Sequence, residues 1–167
     1  MYKAGDMILY GRTGVCIVEA VEEKLLRGEK EPQLFYSLKP LYQSCSITTP
    51  VQSKVFSRPI ISRGEAEALI AELPELNAEP YHNRNLNQLR EYYRFCIERY
   101  DCRELALMCI SIYRKRLEAE AQKRKLGAVD ERFLKEAEDL LYGELAAVLE
   151  IERCGVQAYI EAALAEK

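Results

Sequence analysis

The chain has 167 residues, of which 31% are charged and 49% hydrophobic, with a formal net charge of -3, six cysteines, one histidine and no tryptophan. That length and apolar content support one domain or two small ones with a real core, and the scarcity of low-complexity stretches argues against disorder. No apolar run reaches the roughly 18 residues of a membrane-spanning helix, and Asp6 comes too early for a secretory leader, so a cytoplasmic protein is the expectation.

The first 60 residues read as strands. Met7-Ile8-Leu9-Tyr10 is short and apolar, and Gly11-Arg12-Thr13-Gly14 marks a turn after it. A β-branched run follows over Val15 to Val21, then a polar hairpin tip at Arg27-Gly28-Glu29-Lys30. Leu34 to Leu38, Ser46 to Thr49 and Val55-Phe56 complete five short strands, with Pro50 ending the fourth. This pattern predicts a small antiparallel β-barrel of SH3 or Tudor type, a scaffold with no room for a deep pocket.

From Ser62 the period turns helical. Ser62-Arg63-Gly64-Glu65 has capping-box spacing and predicts a helix to about Leu73, ahead of Pro74. Residues 74–83, with Pro74, Asn77, Pro80 and Asn83, read as a linker. A second helix is expected over Asn85 to Arg99 and a third over Cys102 to Lys125, capped by Asp101. Leu126-Gly127 stops it, and Asp130 is expected to cap a fourth helix carrying the stripe Phe133, Ala137, Leu140, Leu141, Leu145. Gly155 precedes a short last helix. The fold class is therefore α+β: a barrel over 1–60, a connecting helix and linker over 61–79, and an all-α bundle over 80–167.

Little in the sequence points to catalysis. His82 sits in the linker without a nucleophile elbow, and Gly11-Arg12-Thr13-Gly14 is too short for a phosphate loop. The cysteines Cys16, Cys45, Cys96, Cys102, Cys109 and Cys154 contain no Cys-x-x-Cys pair. Small apolar packing groups are their expected role, and no metal, cofactor or catalytic residue is assigned.

Charge is uneven. Residues 80–126 carry 11 basic and 6 acidic groups, whereas 127–167 carry 4 and 10. Arg84, Arg90, Arg94, Arg114 and Lys115 lie in that basic segment, with Lys123-Arg124-Lys125 beyond them. Spaced cations of this kind can contact several phosphates of a duplex without reading bases. Glu98, Asp101, Glu118 and Glu120 interrupt the surface, and a solvated helix face is the alternative. Tyr92 and Tyr93 read as packing residues rather than stacking platforms. The run Ser46-Ile47-Thr48-Thr49 is uncharged and rich in β-formers, so it could accept a partner strand at a sheet edge. The sequence leaves edge and interior placement open.

Several of these parts, in order, resemble CarD-type bacterial transcription regulators, whose barrel also occurs in the transcription-repair coupling factor. The matching segments are Tyr2-Lys3-Ala4-Gly5-Asp6-Met7-Ile8-Leu9-Tyr10, Val18-Glu19-Ala20-Val21-Glu22, Arg27-Gly28-Glu29, Phe35-Tyr36-Ser37-Leu38-Lys39-Pro40 and Thr48-Thr49-Pro50-Val51. Ala128 to Glu138 and Leu140-Leu141-Tyr142 resemble the helical domain of a Firmicute-like branch. The resemblance implies a non-enzymatic regulator whose barrel docks on the RNA polymerase β subunit by strand addition and whose helical domain touches promoter DNA, altering open-complex stability. Taken with the edge-strand and charge readings above, it gives Lys24, Arg27, Ile47, Thr48, Thr49 and Pro50 as candidate polymerase contacts, and Tyr81, Arg84, Arg90, Arg94, Arg114 and Lys115 as candidate DNA contacts. Thr48 stands where some members have an arginine. The family's tryptophan position falls within about 82–86, where this chain has none, and Tyr81 is the nearest aromatic substitute. A monomer is expected. The alternative is a protein-interaction adaptor of the same fold that does not touch DNA.

Overall fold

The computed structural model describes residues 1–165 and divides into two compact units, Met1–Ile61 and Ser62–Lys167. The first holds a five-stranded antiparallel sheet and the second, among the described residues, five α-helices, so the protein is α+β.

The strands are β1 (Met7–Tyr10), β2 (Gly14–Lys24), β3 (Gln33–Pro40), β4 (Ile47–Pro50) and β5 (Ser57–Pro59), in the order β4-β3-β2-β1-β5. Contrary to the expected barrel, the sheet does not close: β4 and β5 are its two edges. A register shift between Val18 and Ala20 bends the long β2 against β3. The Tyr10 hydroxyl donates to Thr49 Oγ1 at 2.8 Å, tying β1 to β4 through side chains. The core face carries Ile8, Cys16, Val18, Tyr36 and Leu38.

The turn between β1 and β2 is a 3-10 turn over Gly11–Thr13. Gly11 has φ +47, and a Cβ there would meet Val55 Cγ1 at 2.9 Å, so both backbone and packing demand glycine. Its N–H donates to the Phe56 carbonyl at 2.8 Å. The last strand therefore lies at Ser57–Pro59 rather than at the expected Val55-Phe56. Apolar content favoured the earlier pair, but pairing with β1 selects the later one, Tyr10 opposite Ser57 and Ile8 opposite Pro59.

The helices are α1 (Arg63–Glu72), α2 (Leu86–Ile97), α3 (Cys102–Ala121), α4 (Ala128–Leu149) and α5 (Val156–Ala165). Ser62 and Glu65 form the reciprocal capping box at α1. Asn85 caps α2 and Asp101 caps α3 with their side chains. Helix α1 belongs to the second unit, where it packs on α4 and α5. Leu89, Tyr93 and Ile97 of α2, Leu105 and Ile112 of α3, and Phe133 and Leu145 of α4 supply buried core.

Two expectations for the helices are corrected. Helix α3 ends at Ala121, short of Lys125. Lys123 takes φ +56, its N–H reaches the Glu120 carbonyl, and the Arg124 N–H reaches the Ala119 carbonyl at 2.8 Å. That is a Schellman motif with lysine where glycine is usual. Helix α4 is capped by Gly127 without a side-chain bond, and Asp130 lies inside its first turn with a different task. Among the described residues no helix is long and apolar enough to cross a membrane.

Burial separates the cysteines. Cys16, Cys102 and Cys109 are buried, Cys96 is half-buried, and Cys45 and Cys154 are exposed. Burial, with the neighbouring Cys45 adding, pushes the Cys16 thiol up to about 11, and burial raises Cys109 as well. In a thiol titration of the native chain near pH 8, Cys45 and Cys154 should react first, Cys96 more slowly, and the other three only on unfolding. Rapid reaction of Cys16 would show that the sheet opens.

Candidate functional site

Two regions hold the residues singled out in the sequence. The first is the β4 edge. Phe35 faces Pro50, Tyr36 faces Thr49, Ser37 faces Thr48 and Leu38 faces Ile47. The Val51 N–H donates to the Leu34 carbonyl at 2.9 Å, which fixes the parity of the antiparallel ladder. Thr49 and Ile47 therefore exchange backbone bonds with β3, while the N–H and C=O of Thr48 turn outward. Side chains follow the same alternation: Thr49 is buried, Ile47 half-buried, and Thr48 and Pro50 exposed. Pro50 brings no donor, and its carbonyl is taken by the Ser53 N–H at 3.1 Å, so the open stretch of edge is the one around Thr48. The opposite edge, β5, is three residues long and carries Pro59 at an outward position.

Glu22, Phe35 and Pro50 form one row across β2, β3 and β4. Lys24 and Arg27 lie past that row, at the hairpin end of the sheet. Lys24 pairs with Glu22 at 3.5 Å on the surface. Leu25, Leu26 and Leu34 are exposed at this same end, Leu25 to 64%. Sequence reasoning passed over these leucines, although two consecutive leucines beside a polar hairpin tip were a visible signal.

The second region is the basic part of the helical unit, which the structure distributes unevenly. Lys115 is not on the surface. Its side chain is 9% exposed, and its ammonium donates to Asp130 Oδ1 at 2.8 Å. The Tyr93 hydroxyl donates to the same oxygen. Burial, then the bond to the Asp130 carboxylate, raises the Tyr93 phenol well above its ordinary value. Lys115 therefore leaves the DNA-facing set, because a single buried carboxylate gathers both donors.

Arg114 reaches back to the Ala78 carbonyl at 3.2 Å and lies 3.9 Å from Glu79, which staples the linker to α3. Arg90 donates to Asn87 at 3.1 Å on its own helix. Arg84 and Arg94 are exposed. Tyr81 stacks on Tyr92 with ring centroids 3.9 Å apart, and Asn83 donates to its hydroxyl at 3.0 Å. A tyrosine held in this way is a structural clip between linker and α2, poorly placed to leave as a wedge between bases. His82 is exposed and lies 3.0 Å from Glu118.

Phe95, which sequence reasoning did not single out, is 64% exposed with the Arg99 guanidinium 5.8 Å from its ring centre. Its position was readable: Leu89, Tyr93 and Ile97 point inward at helical spacing, and Phe95 falls on the opposite side of that period.

Arg84, Arg90 and Arg94 are about three phosphate contacts at most. The full chain on a mixed-sequence duplex should then show log K against log salt with a slope of about -3 or shallower, read by fluorescence anisotropy. A slope of about -6 or steeper would mean that Lys123, Arg124 and Lys125 join the contact. No group of three or more metal-ligating side chains is gathered among the described residues. No protein-family model matches the chain, so the CarD resemblance rests on the ordered motifs of its sequence.

Proposed function

We propose that this protein is a docking regulator whose sheet accepts a strand of the RNA polymerase β subunit on β4, with the helical unit making at most weak, sequence-independent contact with promoter DNA. The observation that carries the reading is the outward-turned backbone of Thr48 on an edge strand, beside the exposed leucines and cations of the β2–β3 hairpin end. Edge strands with a short open stretch are a common acceptor for partner strands, backbone pairing giving affinity and adjacent side chains giving selectivity. Lys24 and Arg27 would flank the docked strand, and their contribution falls with salt because both sit in high dielectric.

A second reading, the protein-interaction adaptor without DNA contact, draws on the electrostatics. Lys115 and Arg114 are spent inside the helical unit, and the net charge is -3. Both readings share the docking edge and part company over the duplex.

The test is binding of the purified full chain to the isolated β-subunit lobe by biolayer interferometry, with deuterium exchange of the bound chain. Saturable binding that protects the amides around Thr48 supports the reading. Absence of binding, or protection confined to the helical unit, overturns it.

A further inference from the structure

We propose that the cavity bounded by α1, α3, α4 and α5 in the helical unit is a binding site for a hydrophobic amine, an apolar body carrying one ammonium group. The inference stands apart from the docking reading, since none of its residues belongs to the sheet.

The cavity measures about 540 Å³ and is half-enclosed. Its apolar surface comes from residues such as Leu69, Leu73, Ala106, Ile110, Leu145 and Ile160. That volume lies inside the range of roughly 300–1,000 Å³ common to small-molecule sites. The polar groups converge rather than scatter. The Tyr113 hydroxyl donates to Glu138, and the Tyr142 hydroxyl is hydrogen-bonded to that of Tyr113. Glu161 lies on the lining as well and accepts from Gln157 Nε2 at 3.3 Å.

The sign of the ligand follows from this lining. Two carboxylates, Glu138 and Glu161, face one cation, Arg116, whose guanidinium lies 6.0 Å from the Tyr113 ring centre. An anionic ligand would be repelled by both carboxylates. A neutral one would gain the apolar contacts only. An ammonium group gains a charge-assisted bond to Glu138, whose orientation is already held by Tyr113. Burial first, and for Tyr113 its hydrogen bonds next, raise both phenols above their ordinary values, so they stay neutral at physiological pH.

The test uses three probes that share one body: 4-(2-naphthyl)butylammonium, the corresponding alcohol and the corresponding carboxylate. The chain has no tryptophan, which leaves the naphthyl fluorescence readable. The ammonium should bind about tenfold more tightly than the alcohol, and the carboxylate least. In Glu138→Gln the ammonium should lose most of that advantage while the alcohol binds as before. Isoleucine-methyl NMR of the wild type locates the site whether or not the variant folds: Ile110 and Ile160 should shift, and Ile8 should not. Equal affinity for the three probes, unshifted Ile110 and Ile160 methyls, or no binding at about 1 mM probe would overturn the assignment.

Discussion

Replacing Asp130 with asparagine is expected to cost the helical unit about 3–5 kcal/mol. The Lys115 ammonium, 9% exposed, would lose its carboxylate while remaining desolvated, and the Tyr93 hydroxyl would lose an ionised acceptor. An unpaired charge in that position costs far more than the pair contributes in net terms. Lys115→Met and Asp130→Leu combined with Tyr93→Phe should therefore recover most of the loss, since removing both charges and the hydroxyl that pairs with them removes their desolvation penalty as well. Urea unfolding of the full chain, followed by the far-ultraviolet helical signal, measures both. A loss below about 1 kcal/mol for Asp130→Asn would mean that water reaches the pair and solvates the orphaned ammonium.

The same pair explains why the sequence misled about Lys115. The reading rested on local rules: a lysine between Arg114 and Arg116 looks like part of a basic stripe, and an aspartate three residues past a glycine looks like a helix cap. Each residue found its partner across the fold, Lys115 fifteen positions from Asp130 and Tyr93 thirty-seven from it. Local spacing carries no information about such meetings. Where the decisive bond is itself local, the sequence was legible: Ser62 with Glu65 and Asp101 with Glu104 cap helices as their spacing requires. Strand β1 was legible for a related reason, because an apolar tetrapeptide ending at a glycine turn leaves little freedom.

Closure of the sheet lies beyond such rules. Five short strands are equally consistent with a closed barrel and with an open, bent sheet, and a register shift such as the one at Val18/Ala20 in β2, which local composition does not announce, bends a strand. The Schellman turn after α3 was hidden too, since Lys123 occupies a left-handed position that glycine would have advertised. The apolar cavity was invisible for the same reason as the ion pair: its lining comes from four helices, and none of them shows it alone. Of the β4 edge, the sequence showed the composition of Ser46 to Thr49 but left open whether they sit at an edge or inside the sheet. Only the strand order, with β4 outermost, separates an acceptor from an interior strand.

That edge supports a sharp contrast between two neighbouring threonines. Thr48→Pro should leave the fold intact, because the N–H it removes points away from β3, and proline is tolerated on the open side of an edge strand. Thr49→Pro should destabilise the sheet by about 3 kcal/mol or more, because it breaks a bond to Tyr36 and displaces a buried side chain that accepts from Tyr10 at 2.8 Å. Melting of the two variants checks the parity of the ladder without any partner. On the β-subunit lobe, Thr48→Pro should weaken binding by at least tenfold, about 1.4 kcal/mol, since the lost donor sits in the middle of the open stretch. Thr48→Val keeps the backbone and changes only an exposed side chain, so its affinity should stay within about twofold of wild type. A folded Thr48→Pro that binds like wild type would move the docking surface off β4. The exposed leucines at the hairpin end, Leu25 and Leu26, would then be the next surface to alter.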